Sequence, residues 1–139
     1  MDDPREGVVL LDVPRGADGE FDRAALERMG HPVHMCHGPP LGTVCPLLDE
    51  RGCPLFSQAH GIVFQLDLRR SHHQAILRRY QELARRDVPI RVVVSPTDAE
   101  RYADLLRDVE VWTHEPTAAD LDGFAARVEA ADRVRDEDQ

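Results

Sequence analysis

Five short apolar runs, with helix-patterned segments between them, constrain this chain more than any other feature. Val8 to Leu11, Pro32 to Cys36, Ile62 to Leu68, Pro89 to Val94 and Val109 to Thr113 each read as a buried strand. Phe21 to Met29 shows helical spacing and stops at Gly30. Ser71 caps a helix through Arg86 with Ala75, Ile76, Tyr80, Leu83 and Ala84 on one stripe. Thr97 and Glu100 match a capping box ahead of a helix whose apolar face is Ala99, Tyr102, Ala103, Leu105 and Leu106. Pro116 and Thr117 open a last helix that turns Leu121, Phe124, Ala125, Val128 and Ala131 inward. Strands that alternate with helices run parallel, because each helix carries the chain back across a face of the sheet. The expected class is α/β, a five-stranded parallel sheet with helices on both faces.

A length of 139 residues suits one domain. The pattern divides into an N-terminal arm (1–7), the domain (8–131) and a charged tail (132–139) read as frayed. No apolar stretch approaches the ~20 residues of a membrane span, and no basic-then-apolar signal opens the chain. The expectation is a soluble, cytoplasmic protein. All 17 basic residues are Arg, so mechanisms that need a lysine amine are excluded. The net charge of −9 disfavours nucleic-acid binding, which draws its affinity from neutralised phosphates. Arg69, Arg70, Arg78, Arg79, Arg85 and Arg86 read as a solvated face. The all-Arg, Ala-rich composition suits a high-GC bacterial genome.

In open parallel sheets, ligands gather beyond the carboxyl ends of the strands. Asp12, Cys36, His37, Asp67, Ser95 and His114 are the residues the pattern sends there. Asp12 after the first strand, Asp67 ending the third, Ser95 ending the fourth and the segment Val111-Trp-Thr-His-Glu-Pro116 resemble response-regulator receiver domains. The resemblance covers roughly residues 8 to 131 and implies the sheet order 2-1-3-4-5, as in flavodoxin and receivers. It also implies a phosphoacceptor-like pocket of Asp12, Asp67, Ser95 and His114, in which Asp67 takes the phosphoryl group and Mg²⁺ sits with the acidic residues of the first strand. Two departures make the domain atypical. Glu115 stands where receivers have Lys, and Val13 stands where a second acidic residue would help bind Mg²⁺. The resemblance further implies an output face around Tyr102, Leu106 and Trp112, and with it a homodimer or another protein partner.

Residues 31–59 replace the usual second helix with a segment rich in Cys, His, Pro and Gly. All three cysteines and three of the seven histidines fall between residues 31 and 53. Three thiolates and an imidazole make a complete shell for Zn²⁺, and thiolates also hold iron–sulfur clusters, whereas Mg²⁺ prefers oxygen. The candidate ligands are Cys36, Cys45 and Cys53, with His37 or His34 fourth. The spacing is not the close Cys-x-x-Cys knuckle. The same residues therefore also fit a redox switch between two thiols, or thiols packed as small hydrophobes. On a strand, His34 and Cys36 share one face.

These observations lead to a non-enzymatic signalling or regulatory module that senses metal or redox state through the Cys/His segment. Two alternatives stay open. One is a phosphoacceptor receiver using Asp67 without the usual Lys, and the other a small cysteine-dependent enzyme with a base such as His114 or His60.

Overall fold

The computed structural model describes residues 7–14, 19–37, 45, 53–83 and 88–137, with the backbone alone at 57 and 132–137. Five strands, β1 (Val9–Asp12), β2 (Val33–Cys36), β3 (Gly61–Phe64), β4 (Ile90–Val93) and β5 (Glu110–Trp112), form one parallel sheet in the order β2-β1-β3-β4-β5. The helices are α1 (Glu20–Arg28), α2 (Pro54–Ser57), α3 (Ser71–Leu83), α4 (Pro96–Arg101) and α5 (Ala118–Glu137). The α/β class and the strand order are those expected.

Alternation along the strands sorts the core into two layers. Val9, Leu11 and Val63 face α1 and α5, where they meet Ala25, Leu26, Leu121, Phe124 and Val128. Leu10, Ile62, Phe64 and Val92 face the other way, onto Ile76, Leu77 and Tyr80 of α3. Gly61 lets α5 lie close on β3. A methyl there would stand 2.6 Å from Cγ2 of Val128 and 2.9 Å from Cζ of Phe124. Among the described residues no helix is long and apolar enough to cross a membrane.

Several local expectations need correction. β3 stops at Phe64 rather than running to Leu68. Leu66 and Leu68 keep the strand's period and stay buried with Phe64, but the Asp67 carbonyl is already an acceptor for the Arg70 N–H in a turn. Asp67 therefore lies in the loop before α3 instead of ending a strand. Arg70 caps α3 rather than Ser71, its carbonyl accepting from the Gln74 N–H at 3.2 Å. At α4 the cap is Ser95, whose Oγ accepts from the Asp98 N–H at 3.1 Å, with Pro96 in the first turn. Thr97 is thus inside the helix. The reciprocal capping pair forms at α5 instead. Thr117 Oγ1 accepts from the Asp120 N–H at 3.2 Å, and Asp120 Oδ2 from the Thr117 N–H at 3.0 Å. The helix that follows runs to Glu137, so residues 132–137 are helical where a frayed tail was expected.

Candidate functional site

β1 ends on Asp12, and its side chain shares the α3 face of the strand with Leu10. It is wholly buried, at 0 % exposure. The Tyr80 hydroxyl, from α3, donates to Oδ2 at 2.7 Å. Cys36 stands in register beside Asp12 on β2, and its thiol hydrogen-bonds the same carboxylate. Oδ1 is buried with no hydrogen-bond partner among the described residues. Burial pushes the Asp12 carboxyl up to about 7, and the hydrogen bonds from Tyr80 and Cys36 oppose that rise without cancelling it. Burial first, and then the charge of Asp12, push the Tyr80 hydroxyl upward, so it remains a proton donor. Its ring is held by Phe56 of α2, stacked at 5.3 Å, and by Phe64, edge-on at 6.2 Å.

Asp12 forms part of the wall of a small cavity. Cys36, Cys45, Cys53 and Tyr80 also line it, with Leu10, Leu66 and Ile76 as apolar wall. The volume open to the centre of a water-sized sphere is about 10 Å³, about one water position. The three cysteines are partly buried thiols. Cys53 is the N-cap residue of α2, with Pro54 at the first helical position. The intervening stretches of the Cys/His segment, 38–44 and 46–52, lie outside the described residues.

The fold thus brings together the three cysteines singled out from sequence, with Asp12 as the polar group beside them. Neither histidine expected as a fourth donor lines the cavity. His37 is exposed and donates from Nδ1 to the Val13 carbonyl at 3.1 Å. His34 does share the Cys36 face of β2, but it stands two residues earlier, in register with Leu10, and its Nδ1 is buried without a partner among the described residues. Among the described residues, no group of three or more His, Cys, Asp or Glu side chains is disposed to hold a metal ion.

The four residues of the phosphoacceptor-like pocket take separate partners. Asp67 accepts from Arg69 Nε at 3.0 Å and Nη2 at 3.1 Å, and these hydrogen bonds hold its carboxyl below the usual range. Ser95 caps α4. His114 donates from Nε2 to Asp120 Oδ2 at 2.9 Å. Asp12 faces the cysteine cavity. The residue directly after β3 is Gln65, whose amide donates to Asp22 Oδ2 at 2.6 Å. Asp22 is itself raised, by burial first and by the charge of Glu115 as a smaller cause. On the output face, Leu106 is buried in the core and Trp112 packs against Phe124 and Arg91, leaving less apolar surface there than the sequence pattern suggests.

Tyr80 is the site residue that the sequence pattern places only in an apolar stripe. Its hydroxyl, carried inward four residues after Ile76, requires a buried acceptor, and Asp12 is the acceptor on the facing strand.

No protein-family model matches the chain, and no curated protein does. Among solved structures, the crystal structure of a sensor protein from Polaromonas sp. JS666 is similar, with a TM-score of 0.55 and 15% identity. The match covers 89% of this chain and 94% of that one. The likeness is one of fold.

Proposed function

We propose that the chain is a receiver-like regulatory module whose input is the cysteine cavity beneath Asp12, not phosphorylation of Asp67. The observation that carries this reading is the convergence of three thiols on a buried carboxylate, one oxygen of which has no hydrogen-bond partner among the described residues. A buried carboxylate whose described donors are neutral is costly, and groups perturbed in this way cluster at functional sites. The receiver-like order of the strands supports the class, and the similar fold of a protein described as a sensor is in keeping with it. Asp67 offers less. Its carboxylate is bidentate to Arg69 in an exposed loop, and Glu115 adds negative charge at the position where receivers neutralise it. Thiol oxidation and, if the thiols close on it, Zn²⁺ are the two kinds of signal a cavity of this size would take, whereas an iron–sulfur cluster needs more room than one water position. Output would pass to a protein partner or a second copy of the chain.

The test is thermal melting of the reduced protein with Zn²⁺, with hydrogen peroxide, or with beryllofluoride and Mg²⁺. A thiol-directed agent is expected to shift the melting point by several degrees, and Cys53→Ser to abolish that shift. A shift with beryllofluoride and Mg²⁺ alone would return the function to Asp67. No shift with any agent would leave the cavity as packing.

A further inference from the structure

Two of the three thiols are placed unequally around Asp12. Cys36 is fixed on β2, in register with Asp12, and its thiol hydrogen-bonds the carboxylate. A thiol that donates to a carboxylate has the acceptor for its proton already in place, which suits Cys36 to the second, resolving step. Cys53 lies across the cavity where the chain enters α2. Both cysteines line the small cavity that Asp12 and Tyr80 also line. We propose that Cys53 and Cys36 form a hydroperoxide-responsive dithiol, Cys53 attacking the oxidant and Cys36 resolving it, with Asp12 as the general base that accepts the Cys36 proton.

The chemistry balances in two steps. The Cys53 thiolate attacks the terminal oxygen of a hydroperoxide, ROOH, breaking the O–O bond. Cys53 becomes the sulfenic acid, and ROH leaves with the proton that Cys53 gave up. The Cys36 sulfur then attacks the Cys53 sulfur while its proton passes to the Asp12 carboxylate. The hydroxyl departs from sulfur and takes that proton from Asp12, leaving as water. The sum is two thiols and ROOH to one disulfide, ROH and water. The two thiols supply the two electrons that reduce the peroxide. Tyr80, donating to Oδ2, keeps the carboxylate aimed at the cavity throughout.

The inference rests on the cavity being the input. A protein that melts higher with Zn²⁺ but forms no disulfide with peroxide keeps that reading and loses this one, whereas silence to both loses both. The experiment treats the reduced full chain with stoichiometric hydrogen peroxide and follows intact mass, dimedone trapping and tryptic peptides. Trypsin cuts after Arg28, Arg51 and Arg69, leaving Cys36 and Cys45 on one peptide and Cys53 on the next, so the assignment is made in Cys45→Ser. The expected product has lost two hydrogens and links Cys36 to Cys53. Cys36→Ser is expected to stop at a dimedone-reactive Cys53, and Cys53→Ser to leave Cys36 a thiol. Asp12→Asn, checked for folding by its melting curve, is expected to slow disulfide closure at least about tenfold with sulfenic acid accumulating. Failure to form the link, a disulfide between Cys45 and Cys53 in Cys36→Ser, oxidation of Cys36 in Cys53→Ser at the rate of Cys53 in wild type, or unchanged closure in a folded Asp12→Asn would each overturn the assignment.

Discussion

At the scale of single residues, Asp12 sets the terms. Its sequence context, an acidic residue where an apolar strand ends, reads equally well as a solvent-facing terminus or as part of a phosphate pocket. The structure shows neither, because the strand's alternation commits the side chain to the layer of Leu10 and α3 before any functional consideration enters. That layer was legible, since Ile76 and Tyr80 lie on one stripe. What Tyr80 bonds was not, because a hydrogen bond spanning 68 residues of sequence leaves no periodic trace. The consequence is a definite pH dependence. The Asp12 carboxyl is raised from 3.8 to about 7, so its contribution to folding is fully present below the unfolded value near 4 and is lost as pH rises through about 7. Asp12→Asn lacks that titration. Urea unfolding at about pH 5 and about pH 8 should show wild type losing about 2–3 kcal/mol more than Asp12→Asn between the two, since a tenfold change in proton affinity on folding corresponds to about 1.4 kcal/mol and about two pH units lie between pH 5 and the folded value. A difference that is flat with pH would mean that the carboxylate is not burdened by burial. Tyr80→Phe removes the donor to Oδ2 and should cost about 1.5–3 kcal/mol at pH 8, where the carboxylate is charged, and less at pH 5.

At the scale of elements, the strands and helices were visible in the sequence but their ends were not. Ends are decided by single hydrogen bonds rather than by runs of residues. Ser95 and Thr97 show why. Both precede a helical pattern, and Thr97 with Glu100 forms the better-known motif. Pro96, however, lacks an N–H and suits the first helical position, which makes Ser95 the cap. Ser95→Ala should therefore cost about 1 kcal/mol, while Thr97→Ala stays within about 0.5 kcal/mol. The reverse order in a denaturation series would restore the capping box. Close packing of α5 on β3 gives a second expectation. The Cβ of Gly61→Ala would meet Val128 and Phe124, both essentially inaccessible to solvent, so α5 must shift or the side chains must leave their rotamers. Overpacking of this kind costs about 1–3 kcal/mol. A variant that melts like wild type would show that α5 rides more loosely on the sheet than this packing implies.

At the scale of the whole molecule, the topology was the most legible property and the assembled site the least. Alternation of strand and helix leaves few ways to arrange a parallel sheet, and the order β2-β1-β3-β4-β5 is one of them. The cysteines, by contrast, are separated by eight and then seven intervening residues in sequence, and only the fold of β2 and α2 against α3 sets them around one cavity. Charge is also a property of the whole chain. At −9, with a pI near 5.1, the folded molecule repels itself more than its expanded state does. Its exposed pairs, such as Arg23 with Glu27 and Arg107 with Asp104, are each worth little and are themselves screened by salt. The more enclosed Arg91–Glu110 pair, with the Arg91 guanidinium 5.7 Å from the Trp112 ring centre, is screened less. Raising salt from about 0.02 M to about 0.2 M shortens the Debye length from roughly 20 Å to roughly 7 Å, which removes long-range repulsion before it weakens contacts of about 3 Å. The melting temperature at pH 7.5 should therefore rise with sodium chloride over that range, and rise less in a variant carrying Glu→Gln substitutions at exposed positions such as Glu20, Glu82 and Glu100. A melting temperature that falls with salt would show that the surface ion pairs outweigh the net charge.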